Sequence, residues 1–303
     1  MNEPLSRRRF LHVAAASAMA PVAAQAAVGQ VGANKQKAKA PAVDKLEIKL
    51  AVKLGMLREK LSLRDKFMLL ADLGFDGVEL DSPNNFDCEE VLAARDQSKL
   101  QIPGTVDSVH WHNTLSNPRP EIRAKGLAGL RTALKDAHDY GGSSALLVPG
   151  VVRKNIRYDQ VYTRSQTEIR KAIPYAKKLG VAIAIENVWN GFLLSPVEAC
   201  RYLDEFDTDM VGMHFDVGNI VRYGFPEHWI YALGKRILKL DVKEYSKKRG
   251  FGVHLMEGDC DWPSVVKALK AIGYSGWATA EMRGGDRKCL ASIHERMSKI
   301  FSM

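Results

Sequence analysis

The sequence predicts a single closed (β/α)₈ barrel of the α/β class, preceded by a cleavable leader and a short linker. Three observations lead there. From Leu46 onward, eight short apolar runs alternate with segments of helical period, as the βα units of a parallel sheet do. No glycine-rich phosphate turn of a dinucleotide-binding sheet interrupts them. A barrel of this kind uses roughly 250 residues as one domain, which suits a chain of 303 residues once its N-terminal surplus is set aside.

That surplus has its own pattern. Ser6-Arg7-Arg8-Arg9-Phe10-Leu11 is a twin-arginine motif, followed by an alanine-rich apolar run over 13–24 and the small-residue site Ala24-Gln25-Ala26. Motif, apolar run and cleavage site in that order predict a signal peptide over 1–26. The expected partner is the twin-arginine (Tat) export machinery, and the expected location is periplasmic or exported. So short an apolar run is no stable membrane anchor. Residues 27–45, with Lys35, Lys37, Lys39 and few bulky apolar side chains, predict a flexible linker. The formal charge of the whole chain is +9; residues 1–45 hold seven Lys/Arg and two Asp/Glu, so the remainder has 37 against 33 and a charge of +4. The basic balance therefore belongs largely to leader and linker, and no nucleic acid is expected as a partner. Cys88, Cys200, Cys260 and Cys289 lie far apart with no CxxC spacing, which argues against a thiolate metal or redox site; disulfides are permitted by an oxidising compartment but not indicated.

The barrel proper, 46–303, reads as follows. Strands are predicted over 49–57, 77–81, 102–111 and 144–152, with helices over 63–73, 89–99, 121–140 and 162–179 between and after them. The second half predicts strands over 181–188, 211–217, 237–243 and 277–282, with helices over 196–206, 227–233, 262–272 and 288–301. Helix ends carry their signals: Gly74, Gly141, Gly180 and Gly273 follow helical segments as C-caps do. Ser195-Pro196 supplies an N-cap with proline at the first helical position.

Side chains alternate along a strand, so parity sorts interior from exterior. In Val181-Ala182-Ile183-Ala184-Ile185-Glu186 the branched residues share one parity and face the helices, leaving Ala182, Ala184 and Glu186 inside. The same parity puts Gly212, His214 and Asp216, then Lys239, Asp241 and Lys243, then Trp277, Thr279 and Glu281, inside on the last three strands. Four acids, Glu186, Asp216, Asp241 and Glu281, thus converge at the end of the barrel where active sites form. Carboxylates so placed repel one another unless a cation lies between them. All-oxygen ligation favours Mn²⁺ or Mg²⁺ first, with Zn²⁺ and Ca²⁺ as alternatives. The competing reading is an ion-pair layer in which Asp241 meets Lys239 or Lys243 and Glu281 meets Arg283.

Other candidates share that end. Lys53, Glu79 and Asp81 have inward parity. His110 is a candidate general base, and His112, two positions on, would share its face. His214 is expected in a supporting or packed role beneath Asp216. Trp111 and Trp189 are placed to stack on a sugar, and His254 lies in the loop after the seventh strand. Asp261 reads as a helix N-cap before Trp262-Pro263. Lys53, Glu79, His112, Trp189, Lys243, His254 and Arg283 make up the expected substrate-binding set.

Ile185-Glu186-Asn187, His214-Phe215-Asp216-Val217-Gly218-Asn219, Leu240-Asp241-Val242-Lys243-Glu244-Tyr245, Glu257-Gly258-Asp259-Cys260-Asp261-Trp262 and Gly273-Tyr274-Ser275-Gly276-Trp277 leading to Glu281 resemble the xylose isomerase-like TIM-barrel superfamily of sugar phosphate isomerases and epimerases. The resemblance covers nearly all of 46–303. It implies that Glu186 and Glu281 form the metal-bound pair that removes a proton beside a carbonyl and returns it. It implies that Asp216 is the third ligand. The family's fourth ligand is usually a histidine in a His-x-Lys-Asp setting, whereas this chain has Asp241-Val242-Lys243-Glu244, and Asn219 stands where many members carry histidine. Endonuclease IV, in the same superfamily, assembles a histidine-rich trinuclear zinc site that these histidines do not match. The expected activity is a metal-dependent sugar isomerisation or epimerisation through an ene-diolate, with a small carbohydrate as substrate. The alternatives are a lyase or hydratase acting on 3-keto-glycosides, which export favours somewhat, and a non-catalytic sugar-binding barrel. A homo-oligomer is left open.

Overall fold

The computed structural model describes residues 43–303; the expected leader and nearly all of the expected linker lie outside them. Eight parallel strands close into one barrel in the order β1-β2-β3-β4-β5-β6-β7-β8. They are β1 (Glu47–Lys53), β2 (Gly77–Ser82), β3 (Gly104–Asp107), β4 (Ser144–Leu147), β5 (Ala182–Glu186), β6 (Val211–Asp216), β7 (Ile237–Val242) and β8 (Ser275–Ala280). The barrel shuts between β1 and β8, where Glu47 through Val52 pair with Ser275 through Ala280.

The surrounding helices are α1 (Leu63–Asp72), α2 (Cys88–Ser98), α3 (Pro120–Asp139), α4 (Tyr158–Leu179) and α5 (Pro196–Asp204). They continue with α6 (Val217–Val221), α7 (Pro226–Leu233), α8 (Trp262–Ala271) and α9 (Arg287–Phe301). Several starts follow their side-chain chemistry. Ser195 caps α5 by accepting from Glu198 N, Asp261 caps α8 by accepting from Ser264 N, and Asp286 caps α9 by accepting from Cys289 N. Each cap satisfies an amide that the helix leaves without a partner.

The apolar core lies between sheet and helices. Outward strand residues such as Val52, Leu80, Ile183, Ile185, Phe215, Leu240 and Ala278 are fully buried, as are Phe67, Leu130, Ile169, Tyr202, Ile230, Leu269 and Met297 on the helices. Full burial of one such side chain stabilises by about 1.5–3 kcal/mol, so the helix coat fixes where the strand ends point. No helix among the described residues is long and apolar enough to cross a membrane. The four cysteines are free thiols.

The first strand ends at Lys53 and not at 57, and the fourth at Leu147 and not at 152; two further corrections bear on the site. The third strand does not run to residue 111: it ends at Asp107, and His110 N and His112 N then bond back to Asp107 O and Val109 O in a turn. Strand parity does not apply there, so His110 is buried while His112 is exposed. The sixth strand stops at Asp216 because that residue starts α6, its side chain accepting from Asn219 N at 2.8 Å. This short helix was not expected from the sequence.

The barrel interior is charged where branched apolar layers are usual. Glu79, His214, Lys239, Asp241 and Thr279 are all at most 2 % exposed. Lys239 Nζ sits 3.4 Å from Glu79 Oε1, in space that only a glycine at 104 leaves open: a Cβ on Gly104 would lie 2.6 Å from that nitrogen.

Candidate active site

The closing ends of β5, β6 and β7 and the residue after β8 bring the four predicted acids together. One carboxylate oxygen from each of Glu186, Asp216, Asp241 and Glu281 lies within 4.8 Å of the others. Asp216 and Asp241 are fully buried, Glu186 is 6 % exposed, and the Glu281 side chain opens most to solvent, at 31 %. Such an array of unscreened negative charge is not stable alone.

Two lysines answer part of it, in a different pairing from the one expected. Lys53, at the end of β1, places Nζ 2.8 Å from Asp241 Oδ2 and 3.2 Å from Glu281 Oε2. Lys243, just after β7, places Nζ 3.0 Å from Asp216 Oδ2 and 3.0 Å from Glu281 Oε2. Lys239 pairs below with Glu79, and Arg283 is exposed with no ion pair to Glu281 among the described residues. Four carboxylates against two ammoniums leave a formal deficit that one divalent cation neutralises.

The residues fit such an ion. Asp216 Oδ2, Asp241 Oδ1 and Glu281 Oε2 are buried oxygens without a hydrogen bond; lysine nitrogens approach two of them, but not along hydrogen-bond lines. Buried oxygens in that state call for an ion or a water. Hard oxygen donors suit Mg²⁺ or Mn²⁺.

The same geometry sets the charges. Burial raises the Glu186 pKa well above the usual carboxylate range, and Glu281, Asp241 and Asp216 add to the effect against Lys53. Burial likewise lifts Glu281, to about 7, helped by Asp241 and Asp216 and opposed by the two lysines. Asp241 goes the other way: burial opposes its charge, yet His214 and Lys53 hold it well below the ordinary range. Burial also works against the ammonium of Lys53, but Asp241, Glu281, Glu186 and Glu79 keep its pKa well above that of a free lysine.

Asparagines that the sequence reading did not single out for a role hold the acids in place. Asn187, directly after Glu186, accepts from Asp216 N at 2.9 Å and donates to Asp216 O at 2.7 Å. Its amide thus copies a backbone pairing one step beyond the sheet. Asn219 Nδ2 donates to Asn187 O, and Trp189 Nε1 donates to Asn219 O. A second hub is Glu244, fully buried, whose carboxylate accepts from Tyr245 N, Met256 N, Cys260 N and Trp262 Nε1 at 2.8–3.2 Å.

The remaining candidates divide. His110 is 4 % exposed and its Nδ1 accepts from Val148 N; burial, then nearby Lys53, lowers its pKa to about 3. It is therefore a neutral ring suited to donating through Nε2 and a poor proton acceptor, which moves it away from the base role first expected. His214 is buried with Nε2 3.0 Å from Asp241 Oδ1, the supporting place expected for it. Glu79 lies deeper than a ligand-contacting residue would, against Lys239, and Asp81 is exposed. His112 and His254 are exposed and have no hydrogen bond or ion pair to the four acids among the described residues. Trp189 belongs to an aromatic cluster with Tyr245 and Phe251 at centroid distances of 4.7–5.2 Å. Lys243 Nζ lies 5.4 Å from the Phe251 ring, so this wall adjoins the acids. Trp189 and Phe251 remain 40 % and 36 % exposed.

Known proteins share this architecture. L-ribulose-5-phosphate 3-epimerase UlaE of Escherichia coli strain K12 is 24 % identical over 230 residues, covering 72 % of this chain and 81 % of that protein. Among solved structures, a D-tagatose 3-epimerase-like protein superposes with a TM-score of 0.72 at 18 % identity, over 84 % of this chain and 97 % of its own. The IOLI protein with a bound zinc atom superposes with a TM-score of 0.73 at 16 % identity, over 84 % and 98 %. The family model described as xylose isomerase-like TIM barrel matches residues 67–298. With that span, the chain belongs to the xylose isomerase-like TIM-barrel family.

Proposed function

We propose that this chain is a divalent-metal-dependent sugar isomerase or epimerase that moves a proton beside a carbonyl through an ene-diolate. The observation that carries the reading is the ring of four inward carboxylates with unpartnered oxygens at the closing end of the strands. Similarity to a pentulose-phosphate 3-epimerase over 72 % of the chain supports it. Manganese or magnesium is the ion we infer, from the all-oxygen donors.

A bound ion would supply Lewis-acid polarisation of a ketose carbonyl and its neighbouring hydroxyl. The chain's own groups do the rest. Glu186 has a pKa raised by burial and, among the described residues, no lysine within ion-pair distance, so it is the acid best able to exchange a proton with carbon. Glu281, near 7, is poised to return one at neutral pH. Lys53 and Lys243 meet the negative charge that develops on oxygen, and His110 donates a hydrogen bond as a neutral ring. The aromatic wall covers one face of the sugar.

That wall also favours a second reading, a lyase acting on 3-keto-glycosides. A proton removed from C2 beside a C3 carbonyl leaves an electron pair that expels the C1 substituent, which departs as an alcohol after taking up a proton. An apolar aglycone would lie against Trp189 and Phe251, both partly exposed.

Metal analysis and turnover test these readings together. Purified protein should hold about one divalent ion per chain, and Glu186→Gln and Glu281→Gln should each abolish turnover while the circular dichroism stays unchanged. Ketoses incubated in deuterated water should gain deuterium and yield an epimer, whereas release of aglycone from a keto-glycoside identifies the lyase. Tight sugar binding by a metal-free protein, with both variants behaving as wild type, would make the chain a binding module instead.

We also infer that the chain is exported by the twin-arginine route, from Arg7-Arg8 and the run that follows.

A further inference from the structure

Arg222 is the first residue after α6, and its guanidinium carbon lies 4.5 Å from the centroid of the Trp189 ring. The residue is exposed, and its side chain makes no hydrogen bond or ion pair among the described residues. An arginine over an aromatic ring is held by cation–π attraction, while the N–H groups round its edge stay open to a ligand. Those donors form a planar fork that matches a carboxylate or a phosphate two bonds at a time.

The platform that carries Arg222 is fixed. Trp189 Nε1 donates to Asn219 O at 2.8 Å, Asn219 Nδ2 donates to Asn187 O at 2.9 Å, and both asparagines are at most 4 % exposed. Asn187 and Asn219 also bond Asp216, so the platform is tied to an acid of the ring. A cation held this way loses little freedom when it binds.

Other cations near the ring are already engaged. Lys53 and Lys243 each lie within 3.2 Å of two carboxylates, and Arg249 donates to Glu257 O at 2.5 Å. Between the ring and Arg222 runs a continuous wall: Lys243 Nζ lies 5.4 Å from the Phe251 ring, and Phe251 lies 4.7 Å from Trp189. A sugar with its carbonyl end at the acids would extend along Phe251 and Trp189 toward a guanidinium whose donors are unspent.

We propose that Arg222, held on Trp189, binds an anionic group of the substrate, a carboxylate or a phosphate at the end of the sugar away from the reacting carbon. The inference rests on the isomerase reading of the ring and narrows its substrate class to acidic sugars.

Deuterium exchange by the Mn²⁺-loaded full chain tests this with three ketoses of equal chain length: one uncharged, one with a terminal carboxylate and one with a terminal phosphate. The unaltered chain should favour an acidic ketose over the neutral one by about tenfold or more in kcat/KM, mainly through KM, the scale of one hydrogen bond to a charged group. Which acid is favoured separates carboxylate from phosphate. Arg222→Met should bring the ratio of acidic to neutral turnover close to one. Lys248→Met, which removes an exposed cation of the loop that carries Phe251, should keep the ratio of the unaltered chain. No preference for either acid in the unaltered chain overturns the proposal. A parallel loss of neutral and acidic turnover in Arg222→Met overturns it too, because the arginine then only supports Trp189. An equal fall of the ratio in Lys248→Met reduces the effect to general attraction and also overturns it. If the unaltered chain exchanges no ketose at all, the isomerase reading fails separately, and calorimetry with the same three sugars decides. Binding of an acidic sugar about tenfold tighter than the neutral one, lost in Arg222→Met, keeps the anion site; equal binding of all three overturns it.

Discussion

Asp107 is a buried carboxyl that the proposed reaction does not use. It ends β3 on the side of α3, where a Cβ on Gly129 would lie 3.4 Å from its Oδ1. One oxygen accepts from Val109 N, and Oδ2 has no partner. Burial raises its pKa to about 7. In the unfolded chain the group loses its proton near pH 4, so between about pH 4 and 7 the folded state holds more protons and stability falls as pH rises. Above pH 7 the destabilisation is complete, at most about 4 kcal/mol. Asp107→Asn should therefore flatten the decline in melting temperature between pH 5 and 8 while leaving turnover intact; an unaltered decline would show that Asp107 is not its source. Proton competition in the ring has the opposite sense for ligand binding. Glu186 and Glu281 are both raised, Glu281 to about 7, and a carboxyl must be ionised to bind a cation. Mn²⁺ affinity should weaken as pH falls below 7, with proton release on binding that shows as a buffer-dependent heat in calorimetry.

At the scale of elements, the loop from Tyr245 to Trp262 is organised from inside. Glu244 draws four N–H groups onto one buried carboxylate, and the loop passes so close that a Cβ on Gly258 would fall 2.4 Å from Glu244 Oε1. The loop carries Phe251 of the aromatic wall. Glu244→Gln replaces one acceptor by a donor among those amides, which should cost about 3 kcal/mol. Limited proteolysis should cut the loop first, and KM should rise more than kcat falls. A loss under about 1 kcal/mol in denaturant unfolding would mean the hub is not needed. Glu244 stood in the sequence motif, but nothing local told whether that acid faced metal, water or amides. The strands were legible because branched residues and alanines alternate, and parity carried Glu186, Asp216, Asp241 and Glu281 inward correctly. Parity failed at His110 and His112 because Asp107 had already ended the strand in a turn. Pairing was the other illegible part. Which lysine meets which acid depends on strands far apart in sequence, and the union of Lys53 with Asp241 spans the closure of the barrel from β1 to β7.

For the whole molecule, the proposed metal dependence links binding to folding, because a ring of carboxylates that repel one another in the folded state would bind a cation that the unfolded chain would not. Metal at about 100 times its dissociation constant should add about 2.7 kcal/mol, a rise of roughly 5–10 °C in melting temperature for a domain of this size. A chelator should reverse it. That coupling bears on export. The twin-arginine route accepts folded proteins, so a barrel that closes and loads its ion beforehand is a suitable cargo, and the ion is chosen where the protein folds. We propose that Arg7 and Arg8 commit the chain to that route and that cleavage follows Ala26. Replacing both arginines by lysine keeps charge and length while removing the paired guanidinium groups, so a change in location reports recognition and not net charge. Fractionation should find the unaltered chain outside the inner membrane, beginning at Ala27, and the double variant inside as the uncleaved precursor with the same metal content and activity. Equal export of both chains would refute the twin-arginine assignment, and a precursor without metal in the cell interior would refute loading before transport.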